Sequence, residues 1–427
     1  MKVVDRTVAP PLRDIERIEL PQVEPVQLAN GAHVWRISAG TQEVIKLEFL
    51  FDAGRWQEPQ RAVATTTAKM LMEGTTSKSA QQLAEEFEYY GANINTDAAI
   101  DYSTITLFCL TKHLPNLLPL LHEMIYEAAF PEAELETHIR NSKQRLKVNL
   151  EKVDFLAHRE FNLRLFGANH PNGYTTSAED YDGLSAETLR QFHESGYVHG
   201  GFRLIAAGKV TDEHLKMLDD TFGKRVIPAS NDSHFTHTVE TAPGRQFFIE
   251  RKDSVQSAIR AGKILVNKTH PDFPKLRVLN TVLGGYFGSR LMQNLREDKG
   301  YCYGVHSGIA SYVNTACFFV STEVGHHVTD AAVKEIYREI DRLRNEPVPE
   351  DELKIVRNYM LGVLLGDADG PLNVSEIIRG LIVFGLDKEY FIRLVNETRT
   401  TTSEELLRLA QQYLDPASMI EAVAGSK

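Results

Sequence analysis

Alternating apolar and polar positions mark His33–Ser38 and Glu43–Ala53 as strands, because successive side chains of a strand face opposite sides of a sheet. Apolar residues then recur at helical spacing over Ala62–Glu73 and Ala80–Tyr90, with Ser79 placed to cap the second helix. A strand over Ser103–Leu110 follows, then helical patterns near 114–128 and 133–152. Beyond a polar stretch without a period, the same order returns. Strands over Gln246–Arg251 and Val255–Val266 lead into helices over Asp272–Leu283 and Ser289–Glu297, a strand over Ala316–Val324, and helices near 328–345 and 350–365. Strands grouped in pairs argue for an α+β fold rather than the single alternation of a parallel α/β sheet. Each half is expected to hold a mainly antiparallel sheet covered by helices on one face.

Residue-level matches support the repeat. Pro131-Glu-Ala-Glu-Leu135 and Pro349-Glu-Asp-Glu-Leu353 each open a long helical pattern, with acids in the first turn where the helix dipole favours them. Phe202–Gly208 and Met419–Gly425 are apolar strand runs, each preceded by an amphipathic helix that starts at a serine, Ser185 or Ser403. The two matches have offsets that differ by one residue, as a duplicated domain requires. The expected division is residues 1–224 and 245–427, joined by a linker over residues 225–244 rich in Pro, Ser, Thr and His.

Composition removes several function classes. With 427 residues the chain can bury two cores. Its 47 Lys and Arg against 58 Asp and Glu leave a net charge of −11, which argues against a nucleic-acid partner. No run of apolar residues is long enough to span a membrane. The N-terminus is broken by charges and prolines where a signal peptide needs an apolar core, so a cytoplasmic location is expected. Three cysteines, Cys109, Cys302 and Cys317, give no disulfide framework; Cys109 and Cys317 read as small buried hydrophobes. The chain has no phosphate-binding loop, no dinucleotide fingerprint, no serine elbow, and neither HExxH nor HxxEH. His326 and His327 are adjacent, so one helix face cannot present both rings to a metal, and they read as a turn.

The repeat and several local runs resemble the pitrilysin/insulinase family of metallopeptidases, relatives of which include the mitochondrial processing peptidase and respiratory-chain core proteins. The likeness runs through Met70-Leu-Met-Glu-Gly-Thr75, the helix after Pro131, the turn His170-Pro-Asn-Gly173 and the strand Phe202–Gly208. It is strongest over Gly284–Gly304, which looks like the family's second-half signature. In active members of the family the first-half helix carries the zinc motif HxxEH. The matching positions here are Thr65-Thr-Thr-Ala-Lys69, so Thr65 and Lys69 replace the two histidines and Ala68 the general-base glutamate. The third ligand's counterpart falls near Val148 or Asn149, neither of them an acid. The resemblance thus implies a degenerate site with no metal in this chain. It also implies a substrate-contacting pair, Arg296 and Tyr303, seven residues apart, whose guanidinium and phenol donate hydrogen bonds to a peptide carbonyl as it gains charge. Tyr301, expected on the same strand side as Tyr303, is a weaker candidate. Gly284 and Gly285 are expected to permit a tight turn or close packing.

Half of a clamshell, no zinc motif and a preserved Arg/Tyr pair together imply the inactive, substrate-contacting chain of a two-chain zinc peptidase. The zinc is expected in a homologous subunit bearing HxxEH, with peptides as substrates and a polar, open face between the two halves. The alternative is a non-enzymatic scaffold or peptide-binding protein of the same fold.

Overall fold

In a computed structural model the chain folds as two sheets flanked by helices, with residues 15–227 and 235–426 described together with Thr7. Part of the expected linker, residues 228–234, and most of the N-terminal stretch to residue 14 lie outside the described residues. The first half contains strands β1 (Glu24–Gln27), β2 (His33–Ser38), β3 (Val44–Phe51), β4 (Asn93–Ala98), β5 (Ser103–Leu110) and β6 (Arg203–Gly208). Its helices are α1 (Val63–Met70), α2 (Ala80–Tyr89), α3 (Leu114–Tyr126), α4 (Glu132–Asn149), α5 (Val153–Phe166), α6 (Ala178–Asp182), α7 (Ala186–His193) and α8 (Asp212–Phe222). The second half contains β7 (Gln246–Glu250), β8 (Gln256–Leu265), β9 (Cys302–Ser311), β10 (Ala316–Gly325) and β11 (Ile420–Gly425). Its helices are α9 (Phe273–Asn280), α10 (Thr329–Asn345), α11 (Glu350–Asp367), α12 (Gly370–Val383), α13 (Lys388–Thr400) and α14 (Ser403–Tyr413).

The sheet orders show the duplication directly. The first runs β1-β2-β6-β3-β5-β4 and the second β7-β11-β8-β10-β9, the same order without an outer strand. Each has one parallel pair, β2 with β6 and β7 with β11, and is otherwise antiparallel. The matched helices α4 and α11 have equal lengths, and proline at both N-caps (Pro131, Pro349) accepts the first helical hydrogen bond from Leu135 or Leu353. At the later helix the cap is Thr402 rather than Ser403: its hydroxyl accepts the Glu405 N–H while the Glu405 carboxylate accepts the Thr402 N–H.

Side-chain alternation along the central strands explains the layering. From β3, Ile45, Leu47, Phe49 and Phe51 enter the core under the first half's own helices, whereas Leu50 points the other way. That second face is not open, which corrects the expectation of a polar face between the halves. Helix α12 crosses from the second half and seats Val374 and Ile378 against Ile37, Leu50, Ile205 and Ala207. Reciprocally, α5 leaves the first half and packs Phe161, Leu165 and Phe166 on Cys317, Ile420 and Ala422 of the second sheet. Each sheet is thus closed by a helix from the other half. Buried Glu48 is paired across the α12 contact: Arg379 Nη1 lies 2.6 Å from Glu48 Oε1, and Lys46, next to Glu48 on the same face of β3, reaches Glu376 of α12 at 2.5 Å.

The turn after α5 ties the linker down. His170 is 1% exposed, stacks on Phe166, and meets Trp56 edge-on; Trp56 Nε1 donates to the Phe235 carbonyl at 2.9 Å. His170 Nδ1 accepts the Asn172 N–H, so the ring is neutral at that nitrogen. Burial, reinforced by the charge of His237, lowers its pKa to about 4. The unfolded chain protonates this ring near pH 6.5, so the folded state binds fewer protons between about pH 4 and 6.5. Its contribution to stability therefore falls as pH drops through that window and levels off below it. In urea titrations at pH 7 and pH 5, His170→Asn is expected to show a smaller loss of stability on acidification than the wild type.

Candidate functional site

Helix α1 carries Thr65, Ala68 and Lys69, the residues that the resemblance sets against the zinc motif. The chain enters it through Ala62 in the left-handed region (φ 71°), and the Glu58 carboxylate stands in for a cap by accepting the Ala64 N–H at 3.0 Å. Burial raises the Glu58 pKa to about 7. One turn in, the Thr65 hydroxyl donates back to the Ala62 carbonyl at 3.3 Å, so its hydrogen is spent within the helix. Ala68 is fully buried and offers only a methyl group to the core. Lys69 is exposed, and its ammonium donates to the Thr96 carbonyl on neighbouring β4.

Helix α4 runs beside α1, and its charges are also wrong for a metal. The His138 pKa is lowered by burial and then by the positive charges of Arg145 and Lys69. On α4, His138 feels both Arg145 and Lys69; Val148 is exposed, and Asn149 lines a cleft with Arg145, His158 and Asn172. Zinc needs about three lone-pair donors, and a neighbouring ammonium and guanidinium oppose a dication. The residues at these positions do not fit it. Among the described residues no group of three His, Cys, Asp or Glu is arranged to hold a metal ion.

The second-half signature forms a compact surface feature. Leu291 leads into a π-helical turn, Met292–Asp298, that carries Arg296; the chain then reverses through Gly300 (φ 65°) into β9. Strand β9 carries a β-bulge against β10. Thr322 pairs with Val305 and Val324 with Cys302, so Tyr303 and Gly304 together lie opposite Glu323 alone. Bulges break the inward–outward alternation and re-aim a side chain. Val305 and Ser307 point inward, and unbroken parity would bury Tyr303 with them; instead it is 90% exposed. The Thr322 hydroxyl fixes the bulge by donating to the Gly304 carbonyl at 2.9 Å.

The structure brings Arg296 and Tyr303 together, with the guanidinium carbon 5.2 Å from the tyrosine ring centre. It also lies 4.8 Å from the ring of Phe287, itself 64% exposed. A cation within reach of two exposed rings is held by cation–π attraction. Its ion pair is with adjacent Glu297, at 3.4 Å. Tyr301 goes elsewhere: it packs against the second-half core and donates its N–H to the Leu295 carbonyl, so it does not share the face of Tyr303. Gly284 acts as expected of a close approach, since a Cβ there would sit 2.6 Å from the Ser307 nitrogen.

Sequence reasoning missed Phe287, although it lies within the signature between Tyr286 and Gly288. An exposed aromatic beside two glycines was the available signal. The π turns at Thr281–Gly285 and Met292–Asp298 left none, because an extra residue per turn does not change the local apolar pattern enough to be read.

Comparison with known proteins identifies the family. Residues 34–165 match the family described as insulinase (peptidase family M16), and residues 183–360 match the one described as the peptidase M16 inactive domain. An uncharacterized zinc protease, YmxG, of Bacillus subtilis is 25% identical over 346 residues, covering 80% of this chain and 83% of that protein. A Helicobacter pylori protein named a non-peptidase homolog is 25% identical over 387 residues, covering 86% of this chain and 85% of its own. The crystal structure of a peptidase M16 inactive domain from Pseudomonas fluorescens has a TM-score of 0.87 at 21% identity, covering 95% of this chain and 98% of that one. A Helicobacter pylori protease gives the same TM-score at 16% identity, covering 95% of this chain and 100% of that chain. The two family matches follow one another in chain order, and the solved folds extend over both sheets. On this ground the chain belongs to the insulinase family of metallopeptidases, peptidase family M16.

Proposed function

We propose that this chain is the catalytically inactive, substrate-contacting subunit of a heterodimeric zinc metallopeptidase. Its partner is a homologous chain with an intact HxxEH motif, which holds the zinc. Arg296 and Tyr303 reach from this chain to a peptide bound there. The observation that carries the reading is the outward pair itself: a guanidinium held against the rings of Phe287 and Tyr303, with a bulge turning the phenol to solvent. Both groups can donate hydrogen bonds, and among the described residues no cluster of His, Cys, Asp or Glu able to hold a metal ion stands beside them.

The chemistry divides accordingly. The partner's metal supplies the Lewis acid and the activated water. In this chain, Arg296 and Tyr303 orient the peptide backbone and donate to the carbonyl oxygen as it becomes an oxyanion. The match of residues 183–360 to an inactive-type domain and the name of the Helicobacter pylori relative are in keeping with a chain that does not cleave alone.

Three measurements test the proposal. Elemental analysis of the purified chain is expected to find no stoichiometric zinc, and peptide libraries are expected to remain intact. Mixed with the HxxEH chain from the same source, it should form a one-to-one complex by light scattering. About one tightly held zinc per chain with chelator-sensitive cleavage would overturn the inactive assignment. Separate monomers at micromolar concentrations of both chains would favour a scaffold instead.

A further inference from the structure

Between α9, the π turn Thr281–Gly285, β9 and α11 lies a cavity of about 540 Å³. It is the topological counterpart, in the second half, of the cleft between α1, β4 and α4. Its polar lining includes Lys268, Arg277, Asn280, Thr281, Ser307 and Ser311, and among the described residues no carboxylate lines it. Two of its hydroxyls are already committed as donors: Thr281 to the Arg277 carbonyl and Ser307 to the Asn280 carbonyl.

The two cations are not so committed. Among the described residues, neither the Arg277 guanidinium nor Lys268 Nζ has a hydrogen-bond or ion-pair partner; Lys268 rests over the Phe384 ring at 4.7 Å. The nearest further cation, Arg379, is paired with Glu48 and Glu376. Burial lowers the pKa of both groups, that of Lys268 to about 8 with Arg277 and Arg379 adding to the effect. Both cations are half-buried, and Asp367, whose charge acts on Arg277, does not line the cavity, so an anion seated there would meet two positive charges that no carboxylate of the lining offsets.

We infer that this cavity is an oxyanion site that takes a carboxylate or phosphate group, forked by Arg277 and neutralised by Lys268. Tyr359, Ile309 and Val363 flank the same cavity and suit an apolar substituent on the anion. The inference does not depend on the subunit proposal, since Arg296, Tyr303 and Phe287 do not line the cavity.

Calorimetric titration of the full chain at low salt tests it, with three probes: inorganic phosphate, a short peptide as its free acid, and the same peptide as its C-terminal amide. Binding by phosphate identifies a free anion as the ligand; binding by the free acid but not the amide identifies a peptide C-terminus. In either case Arg277→Met and Lys268→Met are each expected to weaken binding by about tenfold or more, as loss of a charge-assisted hydrogen bond does. Should Arg277→Met fail to fold, Lys268→Met carries the same test, because that side chain lies at the cavity edge against Phe384. Absence of binding by phosphate and free acid up to several millimolar would overturn the site, as would equal binding by wild type and Lys268→Met.

Discussion

Turnover by a reconstituted two-chain peptidase is expected to fall about 10²–10³-fold when this chain carries Tyr303→Phe or Arg296→Ala, which corresponds to roughly 3–4 kcal/mol of lost transition-state stabilisation. Tyr303→Phe is the sharper of the two. It keeps the ring that faces the Arg296 guanidinium and removes only the hydroxyl, and at 90% exposure that hydroxyl contributes nothing to the core. The melting temperature of the chain should not move. Arg296→Ala also removes the cation held against Phe287 and Tyr303, a contact worth about 0.5–1 kcal/mol at an exposed site, so a shift of a few degrees is tolerable there. Phe287→Ala should lie between, because it loosens that contact without touching a donor. Near wild-type turnover in both principal variants, with zinc still on the partner, would leave the Arg/Tyr pair as a surface contact and the chain as a scaffold.

Much of the fold was legible because it is written in local patterns. Strands β2 and β5 coincide with their apolar runs, the capping serine of α2 is Ser79, and both Pro-capped helices begin where proline and first-turn acids place them. The duplication was visible for the same reason. Strand β4, Asn-Ile-Asn-Thr-Asp-Ala, was not, since edge position lets it stay polar on most residues. The Arg/Tyr spacing was readable, but the device that exposes Tyr303 was not: a bulge is a property of two paired strands, and neither strand's sequence contains the pairing. Likewise Thr65, Ala68 and Lys69 could be read against the family's zinc motif, whereas the positive charges of Arg145 and Lys69 acting on His138 depend on how two helices lie together.

The exchange of α5 and α12 was the largest feature hidden from the sequence, because an amphipathic helix announces an apolar face without naming the sheet it will cover. It also changes how the protein should unfold. Phe161 of α5 is 1% exposed and belongs to the core of the second sheet; Ile378 of α12 is 5% exposed and belongs to that of the first. Truncating each to alanine leaves a cavity and is expected to cost about 3–5 kcal/mol for Phe161→Ala and about 2–5 kcal/mol for Ile378→Ala. If each half lends a helix to the other, neither sheet can open alone without exposing the apolar face that the lent helix covers. Calorimetry should therefore show one transition, lowered by both variants, even though one mutation lies in the first half of the chain and the other in the second. Two resolved transitions, with each variant moving only one of them, would mean that the halves unfold independently and that the exchanged helices dock without binding the two folding units into one.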